Sequence, residues 1–374
     1  MKTILVWIFS LVALLVGCGD SNDTSVYLLP GSEQVVELRD GDLHWEVISE
    51  PVFGGGVVSI NAVADDDVWF FGRDVQHWNG QTMTRMPLVA VGTPREPDLA
   101  HFAETSVFFD STNIWAAGTA LWHFDGTAWT EKIGIFPEAV EGFNRYEIAG
   151  DSTHLAVYLT AVDHLFAQLL SHDGLPLPPE AAFGEIGHLP GYLPYASTRL
   201  FVSNGVLGVV GKGVNDVNTL SITPCLQNEG PLWSQSGTQF YSFLNGNVEP
   251  GPGPDSLVLT QGIVPGNFEE AGRVMLVDLP GVDSVVRGGV GPPASGEANM
   301  SRMVGIAAFD GGAFYALRGT DSDGEFTFLI KLEDGVASVL PDRIYGFESY
   351  ALGLAGENVF LATAGGAILM GSPK

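Results

Sequence analysis

The chain has 374 residues, of which 44 are acidic and 16 are Lys or Arg, so its formal net charge is −28 at neutral pH. A negative surplus of this size argues against nucleic acid and anionic lipid surfaces as partners. Two cysteines are too few for a disulfide-based fold, and 48 glycines indicate many tight turns and few exposed helices.

The first 18 residues have the pattern of a targeting segment. Lys2 supplies a positive start, and the run from Ile4 to Val16 is apolar except for Ser10. That run is short for a transmembrane helix, which needs about 20 residues. It ends in LVGC (residues 15–18), which resembles the lipobox of bacterial lipoproteins. An ordinary secretory signal or a short buried helix is the alternative.

The lipobox resemblance implies a signal peptide at residues 1–17 and a diacylglyceryl group, with acyl chains such as palmitate, on the thiol of Cys18. The mature protein is then anchored to a membrane that it does not span. Gly19 follows the cysteine where an inner-membrane retention signal has Asp, which favours the outer membrane, on its periplasmic or its surface side. Cys225 is left without a partner and is interpreted as a small buried residue.

Residues 18–34 are predicted to be the lipidated cysteine and a polar tether, and residues 35–374 a single domain. The domain begins with two β-prone runs, Val35–Leu38 and Leu43–Ile48. The Asp-Gly pair between them predicts a β-hairpin. Seven glycine turn markers follow at roughly regular spacing and predict about seven repeated units, with six or eight as alternatives. The markers are Gly41, Gly80, Gly126, Gly174, Gly230, Gly281 and Gly335.

Two copies of one pattern occupy residues 67–130. The first is DVWFFGRDVQHWNGQTMT from Asp67 to Thr84, and the second is NIWAAGTALWHFDGTAWT from Asn113 to Thr130. They align without a gap at an offset of 46 residues, from position 67 to position 113. Short β-prone runs bounded by Gly, Asn and Asp predict about four antiparallel strands in each unit. Sheets this small cannot bury both faces alone, so the sequence predicts an all-β protein of stacked blades, a β-propeller.

The two ends of the domain complement each other. Tyr350–Gly371 resembles the start of a unit, with Val359-Phe360 in the place of Val68-Trp69, but it lacks the last hairpin arm. The N-terminal LRDGDLHWEVI has that arm and no preceding inner strands. We therefore expect N- and C-terminal strands to complete one blade and close the ring, which removes free sheet edges.

The pattern D/N-x-W-x-x-G, followed by H-aromatic-N/D-G and W-T, resembles the tryptophan-rich repeats of exported bacterial β-propeller lipoproteins of the myxobacteria-like type. The match covers residues 67–130, and such proteins have no assigned activity. HFDGTAW (residues 123–129) is also similar to the Asp-box of sialidase-type propellers. It departs from that motif because Asp125 and Gly126 are adjacent, so sialidase chemistry is not expected.

Residues that recur in each unit are interpreted as scaffold. His77 and His123 occupy one repeat position, whereas a catalytic residue would be single. The tryptophans recur in phase with the strands, which favours packing between blades over sugar stacking. They are Trp45, Trp69, Trp78, Trp115, Trp122 and Trp129. The run from Asp65 to Asp67 is expected to be a solvated turn, because its counterpart in the second unit has no carboxylate.

Binding residues are expected where the sequence does not repeat. Trp233 lies outside the repeat frame, and Tyr192 and Tyr195 lie in the proline-rich stretch from Leu175 to Tyr195, so these three are the candidate binding residues. The Pro/Gly-rich stretches 249–256 and 288–301 are predicted to be further loops.

Asp321, Asp323 and Glu325 alternate around Gly324 and are candidate calcium ligands, because hard cations prefer several oxygen ligands. A plain hairpin tip is the alternative. No G-x-S-x-G, H-E-x-x-H or P-loop occurs, and the eleven arginines are scattered along the chain, so no catalytic residue is predicted.

These features predict a lipid-anchored protein of the cell envelope that binds or scaffolds an envelope protein or a glycan. A propeller enzyme acting on extracellular carbohydrate is one alternative, and a calcium-stabilised adhesion module is another.

We expect the Cys18→Ser variant to lack lipid, because a hydroxyl cannot take the thioether-linked diacylglyceryl group. The protein is then released or remains as an uncleaved precursor. Cell fractionation with mass spectrometry of the N-terminus measures both outcomes, and Cys225→Ser is the control that keeps the anchor. A mature, acylated Cys18→Ser protein in the membrane fraction contradicts the prediction.

Overall fold

A computed structural model describes part of the chain, and all of its regular elements there are β-strands. The described residues are 24–29, 35–49, 56–88, 103–132, 145–150, 153–161, 164–175, 183–185, 199–203, 206–213, 216–224, 233–236, 248–250, 256–260, 274–278, 284–287, 302–309, 312–333, 336–363 and 366–374. Across these ranges, no helix is long and apolar enough to cross a membrane.

The described residues form thirty-one strands. In chain order they are β1 (Thr24–Leu28), β2 (Val35–Arg39), β3 (Leu43–Ser49), β4 (Val57–Ala64), β5 (Asp67–Gly72), β6 (Val75–Trp78), β7 (Met83–Met86), β8 (Ala103–Asp110), β9 (Asn113–Gly118), β10 (Leu121–Phe124), β11 (Trp129–Glu131), β12 (Arg145–Gly150), β13 (His154–Ala161), β14 (His164–Ser171), β15 (Phe183–Glu185), β16 (Arg199–Ser203), β17 (Val206–Gly213), β18 (Asp216–Pro224), β19 (Trp233–Ser236), β20 (Val248–Pro250), β21 (Ser256–Thr260), β22 (Val274–Asp278), β23 (Ser284–Arg287), β24 (Arg302–Phe309), β25 (Gly312–Asp321), β26 (Gly324–Glu333), β27 (Val336–Val339), β28 (Arg343–Tyr345), β29 (Ser349–Ala355), β30 (Asn358–Thr363) and β31 (Ile368–Pro373).

Within the described part of the chain these strands form seven antiparallel sheets. Five of them are four-stranded meanders that follow one another in sequence, namely β4–β7, β8–β11, β12–β15, β16–β19 and β20–β23. The two clear repeats give the first two of these sheets with the same register, since Trp69 pairs with His77 and Trp115 pairs with His123. The predicted four strands per unit are confirmed.

The ends of the chain share one sheet. Its order is β29-β30-β31-β3, and β3 pairs with β31 so that Trp45 lies opposite Gly371. This is the predicted pairing of N- and C-terminal strands. Closure of the ring and its count of seven blades stay predictions.

The predicted hairpin between Val35–Leu38 and Leu43–Ile48 is wrong. β2 pairs with β1 and β28, whereas β3 belongs to the sheet β29-β30-β31-β3, which we call the terminal sheet. The sheet that contains β2 has the order β1-β2-β28-β26-β25-β24, with β27 also paired to β26, and we call it the last sheet. The Asp-Gly segment therefore crosses between two sheets. The cause is the buried carboxylate of Asp342, which accepts hydrogen bonds from the backbone N–H groups of residues 41, 42 and 43 at 2.9, 3.0 and 3.2 Å.

Gly41 is required at this crossover because the chain passes very close to the next strand. A Cβ at this position would lie 2.6 Å from the backbone nitrogen of Asp342. The same carboxylate accepts a hydrogen bond from the indole Nε1 of Trp45 at 3.0 Å. The Asp-Gly pair, which is typical of a hairpin, here contacts a residue about 300 positions away in the sequence. A local sequence pattern cannot indicate such a contact.

Part of the expected tether is folded. Thr24–Leu28 forms the edge strand β1, which pairs along its whole length with β2. Its sequence, TSVYL, is rich in β-branched and aromatic residues, which suit a pleated surface. Leu29, directly after it, is buried in the core shared by the last sheet and the terminal sheet.

Tryptophans fill the space between neighbouring sheets. Trp69 of the β4–β7 sheet packs with Trp122 and Trp129 of the β8–β11 sheet. Trp115 of the β8–β11 sheet packs with Leu155 and Leu170 of the β12–β15 sheet. Five of the six repeat tryptophans are at most 2% exposed. Trp78 is partly buried and packs against the core between the β4–β7 sheet and the terminal sheet. The prediction that the tryptophans pack between blades is therefore confirmed.

We expect Trp115→Ala to lower the free energy of unfolding by about 3–5 kcal/mol, because it removes a large aromatic side chain from a closed core. Trp78→Ala is the comparison, with a smaller expected loss since its ring is only partly buried. Thermal and urea unfolding followed by circular dichroism measure both. A wild-type unfolding curve for Trp115→Ala would contradict a core role.

Candidate functional site

One polar unit recurs in the two clear repeats. In the first, Asp67 Oδ1 accepts a hydrogen bond from Trp69 Nε1 at 2.7 Å and lies 2.7 Å from His77 Nε2. The imidazole stacks on the indole with their centroids 4.2 Å apart. The unit thus gives a polar partner to the indole N–H of a tryptophan whose ring is buried.

The second copy repeats this geometry with an amide in place of the carboxylate. Asn113 Oδ1 accepts from Trp115 Nε1 at 3.2 Å and lies 3.0 Å from His123 Nε2, and the two rings are 4.5 Å apart. Since an amide holds the same contacts as a carboxylate, the unit does not require a negative charge. This argues against acid–base chemistry at the shared position.

The second copy also joins its sheet to the next one. Asn113 Nδ2 donates to the carbonyl oxygen of His172 at 3.1 Å. Gly174, in the same turn, leaves room for the indole of Trp115, because a Cβ there would lie 2.5 Å from the ring. Burial, reinforced by nearby Lys132, lowers the pKa of His123, so its imidazole is neutral at pH 7. The interpretation of His77 and His123 as scaffold is confirmed by these contacts.

The acidic turn before β5 is only partly the solvated turn that we expected. Asp65 and Asp66 are exposed, but Asp67 is half-buried in the repeated unit. Its counterpart in the second unit is Asn113. The side-chain oxygen of each residue accepts a hydrogen bond from the tryptophan two positions later in the chain.

The candidate calcium ligands lie at the tip between β25 and β26. Asp321 Oδ1 accepts hydrogen bonds from the backbone N–H groups of Asp323 and Gly324 at 2.8 and 3.2 Å, and its other oxygen accepts from the hydroxyl of Tyr345 at 2.7 Å. Asp323 forms an ion pair with Arg39 at 2.9 Å. Two of the three carboxylates are therefore engaged by protein groups.

These contacts tie the N-terminal strand β2 to the tip. The guanidinium of Arg39 lies 4.3 Å from the ring centroid of Tyr345 and also pairs with Glu37 at 2.6 Å, a contact that raises the pKa of Arg39. Burial, with the hydrogen bond to Asp321, raises the pKa of Tyr345 to about 12, so its phenol stays protonated and donates. The same bond helps to lower the pKa of Asp321 against the opposing effect of burial.

Glu325 is exposed on the same tip. In the described residues no three His, Cys, Asp or Glu side chains are grouped so that they could hold a metal ion. Calcium binding by Asp321, Asp323 and Glu325 stays a prediction, and it would have to compete with the contacts to Arg39 and Tyr345.

The candidate binding residues are placed only in part. Trp233 begins β19, the last strand of its sheet, and pairs in register with Ile222 of β18. Tyr192 and Tyr195 lie outside the described residues, as do Cys18 and Cys225. The proline-rich stretch from Leu175 to Tyr195 is not a loop throughout, because Phe183–Glu185 forms β15, the fourth strand of its sheet.

Sequence reasoning missed the contacts of Arg39, Tyr345 and Asp342. The paired residues lie about 300 positions apart, so no local spacing could have found them. Asp40–Leu43 is recognised as a crossover between two sheets only once β2 and β3 are assigned to different sheets.

Solved structures with a similar fold are β-propellers. A streptogramin B lyase structure is similar over 89% of this chain and 98% of its own, with 12% identity and a TM-score of 0.55. The WD40 β-propeller domain of Doa1 is similar over 89% and 98%, with 11% identity and a TM-score of 0.50. YCF48 bound to D1 peptide is similar over 90% and 96%, with 10% identity and a TM-score of 0.50. No protein-family model and no curated protein matches the sequence.

These similarities and the small antiparallel sheets show that the protein is an all-β propeller. At 10–12% identity the likeness extends to the fold alone.

We expect Asp67→Ala to destabilise the protein by about 1–3 kcal/mol, because it leaves the indole N–H of buried Trp69 without its acceptor. Asp67→Asn is the matched control, with a much smaller expected effect, since Asn113 fills the same role in the next sheet. Unfolding midpoints of both variants test this. Equal losses for Ala and Asn would show that the charge, and not the acceptor, matters.

Proposed function

We propose that this protein is a lipid-anchored binding or scaffold protein of the cell envelope, which presents a rigid β-propeller to a protein or glycan partner. The observation that carries the proposal is that the repeated polar side chains contact the protein's own frame. Asp67 and Asn113 accept hydrogen bonds from tryptophans of the frame, and Asn113 also donates one to the next sheet. His77 and His123 lie against the rings of the same tryptophans. A frame stabilised in this way can hold variable connecting segments in fixed positions.

Contacts between distant parts of the chain give further support. Asp342 holds the crossover from the last sheet to the terminal sheet through four hydrogen bonds. The ion pair and ring contact of Arg39 hold β2 against the β25–β26 tip. Relative movement of these sheets would break buried or charge-assisted hydrogen bonds, so the frame is expected to bind without a large change of shape.

A structure of YCF48 bound to D1 peptide has a similar fold at a TM-score of 0.50. That complex illustrates a propeller of comparable size in contact with a peptide, which is compatible with a protein partner here. The lipid anchor rests on the sequence from Lys2 to Cys18, and the outer membrane rests on Gly19.

Site-specific photocrosslinking in intact envelopes tests the proposal. A photoreactive residue at Trp233 or Tyr195 is expected to give a discrete protein or glycan adduct. The same residue at Thr84, exposed on the outer strand β7, is the control and is expected to give none. Identical adducts from all three positions, or none from any, would contradict a specific binding face. Release of sugar products from added polysaccharide would favour the enzyme alternative.

A further inference from the structure

The last sheet extends two strands further than the four-stranded sheets of the protein. Its path from β24 through β25, β26 and β28 is continued by β2 and then by β1. In the described part of the chain, β1 is therefore the outermost strand of this sheet. Its sequence is TSVYL, without a charged residue. An uncharged outermost strand lacks the protection that charged side chains give against association with another surface.

One face of β1 and β2 is buried against the terminal sheet. Val36 and Leu38 of β2 belong to the core that contains Trp45 of the terminal sheet, and Tyr27 of β1 packs against that core. Leu29, directly after β1, lies in the same core. Together with the continuous pairing of β1 with β2, these contacts fix β1 to the propeller.

The opposite face of these two strands is exposed, and we call it the outer face. It carries Thr24, Val26, Val35, Glu37 and Arg39, because side chains alternate along a strand and directly opposite residues share a face. Val26 and Val35 are diagonal neighbours there and are 64% and 52% exposed. Single exposed apolar residues are ordinary, whereas two that lie side by side begin an apolar patch.

The position of β1 in the chain brings this patch close to the predicted lipid anchor. Five residues, from Gly19 to Asp23, separate Cys18 from Thr24. An extended chain spans at most about 3.3–3.6 Å per residue, so Thr24 lies no more than roughly 20 Å from the cysteine. The tether expected to end at residue 34 would have reached on the order of 55 Å. If Cys18 is acylated, the folding of β1 therefore holds the outer edge of the last sheet near the membrane surface.

Charge decides which lipid surface fits the outer face. Glu37 and Arg39 form an ion pair at 2.6 Å, and Arg39 also pairs with Asp323 at 2.9 Å. These three groups leave a surplus of negative charge, and Asp20 and Asp23 add to it in the sequence. An acidic surface is repelled by anionic lipids, whereas contact between valines and lipid needs no charge. Zwitterionic phospholipid is therefore the surface that fits.

We propose that the outer face of β1 and β2 lies on the membrane, with Val26 and Val35 in the headgroup region of zwitterionic phospholipids. This inference rests on the proposed function in one respect, since it needs the acyl group on Cys18. It adds an orientation, because the propeller is held by the edge of its last sheet. The acyl chains limit the distance from the membrane, and the two valines select the face that contacts it.

Fluorescence quenching in vesicles tests this orientation. An environment-sensitive NBD label is attached to the thiol of Val26→Cys or Val35→Cys in the acylated protein, in a Cys225→Ser background, and the protein is reconstituted in phosphatidylethanolamine–phosphatidylcholine vesicles. The label is expected to shift its emission to the blue and to lose most of its intensity to lipids that carry a quencher in the headgroup region. Val63→Cys replaces an exposed valine on β4 and is the matched control, with neither change expected.

Mass spectrometry of the N-terminus separates failure of this inference from failure of the proposed function. If acylation is verified and quenching at the two valines is no stronger than at Val63, the membrane contact is overturned and the anchor stands. A protein without acyl chains would overturn both. A blue shift that appears without vesicles and grows with protein concentration would assign the outer face to a second copy of the chain and overturn the lipid contact.

Two further measurements complete the test. If Val35→Cys lowers the unfolding midpoint, Thr24→Cys takes its place, because Thr24 is exposed on the same face. Vesicles of anionic phosphatidylglycerol at low ionic strength are expected to give weaker quenching than zwitterionic vesicles. Equal or stronger quenching in the anionic vesicles would overturn the assignment to zwitterionic lipid.

Discussion

The structure depends on two tryptophans, Trp69 and Trp115, which are buried between small sheets while a neighbouring side chain accepts a hydrogen bond from each indole N–H. Four-stranded sheets of short strands cannot form a core alone, so their stability comes from contact with the next sheet. Trp69 and Trp115 provide that contact. Asp67 and Asn113 accept hydrogen bonds from the indole N–H groups of these two tryptophans. Trp69 and Trp115 thus gain their apolar packing while their own indole N–H groups keep a hydrogen-bond acceptor.

The same constraint explains why the most conspicuous residues of the chain do not form a reactive site. A histidine stacked on an indole and bound to an aspartate could be mistaken for part of a catalytic group. Because the aspartate is an asparagine one repeat later, its charge is dispensable, and the histidine serves to fix the ring. Function is therefore expected where the sheets differ, in the segments that connect them.

The sequence by itself determined the all-β class, the four-strand unit and the scaffold role of the tryptophans, because these follow from local alternation, turn residues and a 46-residue repeat. It also predicted the sharing of one sheet by both ends. Only the tertiary structure assigned β2 and β3 to different sheets, placed Asp342 under their crossover, and brought Arg39 to the tip between β25 and β26. Those features arise from the order of strands in the sheets, which joins residues that no local pattern relates.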